Sequence, residues 1–248
     1  NLAPTFVWVI WWVGLTYVTA LVGNIWPVLN PWSIIFAGFE RVVGRRLGKH
    51  LAYPAWLEVW PAVLLFGLFA WFELISVTSK EPRALAMAIL VYSAITWLGM
   101  AAFGRTVWLE HGEAFSLAFG VLGRFAPLGG PRPAGGRHLV LRSYAAALVV
   151  TEPRRLSQTT FILLMLSTVT FDGFKETPLW ADLLQWIGRS PSYHGLIRGL
   201  HDLGFDFHGV LATVMLALFP LIFLAVFLGF SQAIGWAARD GRGVTEIA

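Results

Sequence analysis

Residues 209–237 read GVLATVMLALFPLIFLAVFLGFSQAIGWA, an apolar run without one charged side chain, broken only mildly by Pro220 and Gly229. A helix rises about 1.5 Å per residue and the hydrocarbon core of a bilayer is about 30 Å thick, so about 20 apolar residues suffice to cross it. This run exceeds that length. It predicts a membrane-crossing helix, and the rest of the chain is read outward from it.

The whole sequence shares the character of that stretch. Hydrophobic residues make up 57% of it and charged residues 13%, against about 25% charged in an ordinary soluble domain. Many of the 13 Trp and 19 Phe sit near the ends of apolar runs, the belt arrangement that headgroup regions favour. Four further runs accompany the first: residues 5–28, rich in Trp and Val and stopping at Asn30-Pro31; residues 56–77; residues 84–103; and the shorter 156–174, which spans if the bilayer thins or flanking residues help. The fold class expected is all-α, a polytopic transmembrane helix bundle of about five spans, forming a single integral membrane domain over residues 1–248.

Interfacial amphipathic helices complete the layout. Residues 32–50 mix Trp32, Ile35, Phe36 and Phe39 with Arg41, Arg45, Arg46 and Lys49, which suits a basic helix on the membrane surface. Residues 113–125 are apolar but too short to cross, so an interfacial or re-entrant segment is expected there. A Gly/Pro-rich linker over 127–137 belongs to one long basic loop, 104–155. Residues 177–208 fit one or two surface helices, with Gly195, Gly199 and Gly204 arguing against an unbroken one. The chain opens on Asn1 and runs straight into apolar sequence without a charged leader, which reads as a mature, trimmed or partial product.

Of the 18 Lys and Arg, 13 fall on one side of this layout and 5 on the other. The positive-inside rule then places loop 104–155 and the C-terminus in the cytoplasm and the N-terminus outside, as in a bacterial inner membrane. The net charge of +4 is thereby read as topology. No nucleic acid partner is expected; the expected partners are the lipid bilayer and other membrane protein subunits. With no cysteine, disulfides, thiolate metal sites, iron–sulfur clusters and cysteine nucleophiles are excluded.

Ionisable groups beside spans are the candidates for chemistry, because burying them in lipid is costly. Glu73 and Asp172 fall near the outer ends of their spans and form one outer-face site if those spans are neighbours; the bland reading is two interfacial carboxylates, Asp172 paired with Lys175. His194, His201 and His208 recur every seven residues, with Asp202 and Asp206 nearby. His with carboxylate suits a divalent metal ion, and Asp206, His208 and His201 are the ligands to consider; a solvated, hydrogen-bonded surface is the alternative. On the inner side, Glu113, Arg124 and Arg142 are structural or substrate-facing candidates, Glu113 standing where a carboxylate caps a helix start. The sequence has no Gly-x-Ser-x-Gly elbow, no phosphate-binding loop ending in Lys-Ser or Lys-Thr, and no His-x-x-x-His pair.

Several short strings occur in order: Asn30-Pro31, Tyr53-Pro54-Ala55, Trp60-Pro61-Ala62, Trp71-Phe72-Glu73-Leu74, Phe103-Gly104, Gly112-Glu113-Ala114-Phe115 and Gly123-Arg124-Phe125-Ala126-Pro127. They continue with Gly136-Arg137-His138-Leu139-Val140-Leu141-Arg142, Thr170-Phe171-Asp172-Gly173-Phe174 and Pro178-Leu179-Trp180. In this arrangement the chain resembles the bacterial multi-spanning membrane proteins known as fenitrothion hydrolase. The resemblance implies a component of a membrane-bound organophosphorus ester hydrolase, working with a second membrane subunit, with Glu73, Glu113, Arg124, Arg142 and Asp172 inside matching motifs. Family members extend further at both ends, with a later His-containing membrane segment that this chain does not include.

Three functions are carried forward. A hydrolase component would use Glu73 and Asp172 as bases or ligands to activate water. A non-catalytic structural or anchoring subunit would use its aromatic spans and small residues for packing. A small-molecule or metal transporter is third, with neither an internal repeat nor deep charges to support it.

Overall fold

The computed structural model describes residues 2–43, 51–129, 140–149 and 155–237. Among these residues the chain is helical apart from one two-stranded pairing, and the all-α, polytopic reading holds. The chain divides into two compact units, one of Asn1–Phe66 with Thr78–Glu152, the other of Gly67–Val77 with Pro153–Ala248.

The first unit opens with a continuous helical run. It comprises α1 (Leu2–Thr5), a π-helical stretch (Phe6–Gly14) and α2 (Leu15–Leu21). The expected span 5–28 is corrected here, since the helix stops at Leu21. Gly23 leaves it to form a bridge with Leu128, so close that a Cβ on Gly23 would stand 3.1 Å from the Leu128 carbonyl oxygen. Asn24 then restarts the chain: its side-chain oxygen accepts from the Trp26 amide at 3.1 Å, opening the single turn α3 (Trp26–Leu29). Asn30 ends that turn and accepts from the amide of Ser33 at 3.0 Å, starting α4 (Pro31–Val43). The continuation of the expected basic surface helix, with Arg45, Arg46 and Lys49, lies outside the described residues.

A 3-10 turn, Ala55–Leu57, leads into α5 (Trp60–Leu74), which passes from the first unit into the second. Helix α6 (Pro82–Phe103) begins on proline, whose fixed backbone suits a first turn, and ends at Gly104, whose φ of 94° a side chain would resist. Two short helices follow, α7 (Arg105–His111) and α8 (Ala114–Leu122). The Trp108 ring of α7 lies against glycines on both sides: a Cβ on Gly99 would stand 2.3 Å from it and one on Gly112 2.6 Å. Strands β1 (Leu128–Gly129) and β2 (Val140–Leu141) then pair antiparallel, Leu128 opposite Leu141. Arg132, Arg137 and Arg154, and most of the Gly/Pro-rich linker, lie outside the described residues.

Unit two is built on α9 (Leu156–Lys175) packed along α12 (Phe207–Ala237), with α10 (Pro178–Arg189) and α11 (Pro191–Asp202) between them in sequence. Phe171, Ala212 and Leu216 form its buried centre, with Leu74, Phe174, Trp180 and Phe219 packed around them. Arg239 and Arg242, counted in the topology, lie outside the described residues.

Among the described residues, four helical stretches are long and apolar enough to cross a membrane: Leu2–Leu21, Ala55–Leu74, Pro82–Phe103 and Phe207–Trp236, with mean hydropathies of 1.4, 1.6, 1.8 and 2.8. The fifth expected span, 156–174, forms a helix of 20 residues but is not among them. Its Ser157, Gln158, Thr159, Thr160, Ser167 and Thr168 dilute its apolar content.

Candidate functional site

Among the described residues the most elaborate polar site is built around Glu113, which has no solvent exposure. Helix α8 is only nine residues long, too short to hold itself together, and depends on its ends and its packing. Glu113 is its N-cap: one carboxylate oxygen accepts from the Phe115 amide at 2.9 Å, the other from the Ser116 amide at 2.8 Å. Three side chains distant in sequence and one near neighbour complete the shell. Tyr92 donates its hydroxyl to Oε1; the Trp26 indole at 3.3 Å, the Asn30 amide at 3.2 Å and the Ser116 hydroxyl donate to Oε2. Six hydrogen bonds thus converge on one carboxylate, all from donors, which is how an anion is held where water cannot reach it.

At the other end of the same helix Arg142 plays the complementary part. Its Nε donates to the Ala126 carbonyl at 2.9 Å and its terminal nitrogen to the carbonyl of Gly123, the C-cap of α8, at 2.7 Å. A carboxylate at the N-terminus and a guanidinium at the C-terminus both match the helix dipole. Arg124 is partly buried beside that end and engages a partner within the chain. Aromatic rings wall the site. Phe115 stacks on Trp32 at 5.9 Å with 7° between planes and meets Trp11 edge-on at 4.8 Å, and Trp26 lies 5.0 Å from Phe119. The segment 113–125 therefore lies inside unit one, and Tyr92, which reaches Glu113, stands midway along the candidate span α6.

In unit two Glu73 and Asp172 lie within electrostatic range of each other. Asp172 pairs with Lys175 at 3.5 Å, both charges lie within electrostatic range of Glu73, and the Lys175 ammonium also donates to the Leu74 carbonyl at 2.8 Å. Lys175 further sits 5.6 Å over the Phe171 ring. Asp172 thus holds the Lys175 ammonium, with Glu73 within electrostatic range of both.

The histidines distribute differently from the sequence expectation. Gly195 and Gly199 do not interrupt α11, which carries both His194 and His201, and the chain breaks only at Gly204, with φ of 80°. His194 contacts the Gly188 carbonyl at 3.1 Å. Asp206 caps α12 by accepting from the Gly209 amide at 2.8 Å and lies 3.6 Å from His208. That amide bond holds the Asp206 carboxyl below the usual carboxylate range, aided by His208. Among the described residues no three His, Asp or Glu side chains gather closely enough to hold a metal ion, and Asp206, His208 and His201 line one recess without forming such a set.

Sequence reading singled out Glu113, Arg142, Glu73 and Asp172 but not Trp26, Tyr92 or Ser116. Only Ser116, three residues after Glu113, had a local signal, the spacing of a side chain over a helix start. Comparison of the chain with protein-family models, with curated proteins and with solved structures finds no match.

Proposed function

We propose that the chain is a membrane-embedded subunit whose polar groups build and hold a helical frame for a larger assembly. The observation that supports this most is the saturation of Glu113: its oxygens are occupied by six donors from within the chain and it has no exposed surface, so it is committed to structure. The wide apolar surface agrees with this. Only 11% of the apolar window of α12 is buried within the chain, leaving the rest to lipid or neighbouring helices. The motif resemblance adds the kind of assembly, a bacterial inner-membrane organophosphorus ester hydrolase of the fenitrothion hydrolase type; the Lys and Arg distribution, with 156–174 crossing as a fifth span, favours the N-terminus outside and the C-terminus cytoplasmic. Mild detergent extraction and affinity purification test the reading. A stoichiometric second membrane polypeptide is expected; a solitary chain that hydrolyses an aryl phosphotriester would sink it.

One observation favours a direct catalytic share as the second reading, the Asp172–Lys175 pair within electrostatic range of Glu73. In that chemistry a carboxylate takes a proton from water, the water oxygen bonds to phosphorus, and the aryl oxide leaves as its P–O bond breaks, with the ammonium offsetting the negative charge. Glu73→Gln and Asp172→Asn separate the readings. In the complete assembly a general base is worth about 10²–10⁴ in turnover, whereas a frame subunit loses essentially none.

A further inference from the structure

An open recess of about 640 Å³ lies at the junction of α11 and α12, and none of the functions above uses it. Its walls have two characters. Leu184, Ile197, Phe205 and Phe207 supply an apolar side, while Arg198 with His194 and His201 supplies a cationic or hydrogen-bonding one. The guanidinium of Arg198 spends only Nε inside the chain, on the His194 carbonyl at 3.3 Å; its terminal nitrogens make no hydrogen bond among the described residues. The acid in the recess, Asp206, is drawn instead to the Gly209 amide and to His208. Its charge is thus satisfied at the start of α12 and leaves the Arg198 fork to another anion.

Position decides which anion. The recess sits at the first turn of α12, the most apolar of the candidate spans, and is lined by residues of two amphipathic helices, so it lies where a span meets the headgroup layer. A free phosphate would satisfy Arg198 but leave the Leu184, Ile197 and Phe207 wall bare. A molecule with a phosphate on an apolar body fills both.

We propose that this recess binds the headgroup and upper acyl region of one anionic phospholipid, with Arg198 holding the phosphate and His201 beside it. The inference does not depend on the subunit reading. Its test is lipid retention by the full chain, extracted with its partners into nanodiscs of phosphatidylcholine containing phosphatidylglycerol and examined by native mass spectrometry. One retained phosphatidylglycerol per chain is expected, favoured over phosphatidylcholine by about fivefold, the worth of one cation near an anionic headgroup. Arg198→Ala is expected to abolish the preference, Arg198→Lys to keep most of it, and Arg83→Ala, in the other unit, to leave it unchanged. Arg198 is exposed, so its removal leaves the fold intact, which circular dichroism checks. Equal retention of both lipids, a preference that survives Arg198→Ala, or displacement of the lipid by millimolar inorganic phosphate would each overturn the assignment, the last by making the recess a site for free phosphate.

Discussion

Glu113 in unit one and Asp172 in unit two are both carboxylates on apolar helices, and their surroundings differ in nearly every respect. Glu113 has no exposure and six donors, drawn from three segments of the chain; the Asp172 side chain is 56% exposed and has one ammonium 3.5 Å away. Where water is absent, the protein supplies every partner that water would have given. Where water is near, one loose ion pair is enough, and the carboxylate remains accessible to other molecules. The contrast teaches that, among the described residues, the most buried acid is also the most fully bonded one, whereas an acid near a helix end keeps a single partner.

The sharpest way to break this comparison is to remove the buried acid. Glu113→Ala strands the indole of Trp26, the amide of Asn30 and the hydroxyl of Tyr92, and uncaps α8. A loss of about 3 kcal/mol or more is expected, seen as a lower midpoint in thermal unfolding monitored by size exclusion in detergent. A variant as stable as the parent would show that water already reaches the site. Next in size is Gly99→Ala, which drives a methyl into the Trp108 ring and is expected to cost about 1–3 kcal/mol by overpacking; no change would mean that α6 and α7 are not seated on each other as described. Trp32→Phe keeps the stack on Phe115 but deletes the 2.7 Å bond to Ser93, for an expected loss of about 1 kcal/mol in the same assay.

Unit two is expected to respond weakly. Asp172→Asn removes a partly exposed pair and should change stability by no more than about 1 kcal/mol, less in high salt. A loss as large as that of Glu113→Ala would erase the distinction drawn here. The smallest effect belongs to Asp206. Its carboxyl is held below the ordinary range in the folded chain, so its capping contribution is complete above the usual carboxylate pKa and is lost as pH falls through the lowered value. Asp206→Asn, which still caps, should leave stability unchanged near neutral pH and flatten this acid-side dependence in melts taken across the acidic range.

Reading the sequence recovers the long helices because length and apolarity alone specify them: α12 and α6 need no knowledge of neighbours. It overruns the first span because residues 22–25 stay apolar enough to look continuous, although Asn24 before Trp26-Pro27 carries the polar cap and early proline that mark a new helix. It counts 156–174 as a span from its length, and the structure does form a 20-residue helix there, but hydroxyl side chains lower its hydropathy below that of the four most apolar stretches. The Glu113 site shows a different limit. A carboxylate opening a short apolar segment is a local signal, but Trp26 and Asn30 stand 87 and 83 residues away, and only the folded chain brings them to it. Asp172 with Lys175 was legible because the two are one helical turn apart.

The segment from Arg105 to Leu122 is two short helices, α7 and α8, with an acid between them. Such a piece has no way into oil on its own, because neither helix is long enough to insert and Glu113 resists transfer. Its aromatic walls come from the helical run ending at Leu21 and from α3, α4 and α6, all made earlier by the ribosome. The buried acid therefore has its distant partners only once those earlier segments are folded around it, and the two short helices depend on their neighbours for a place to sit.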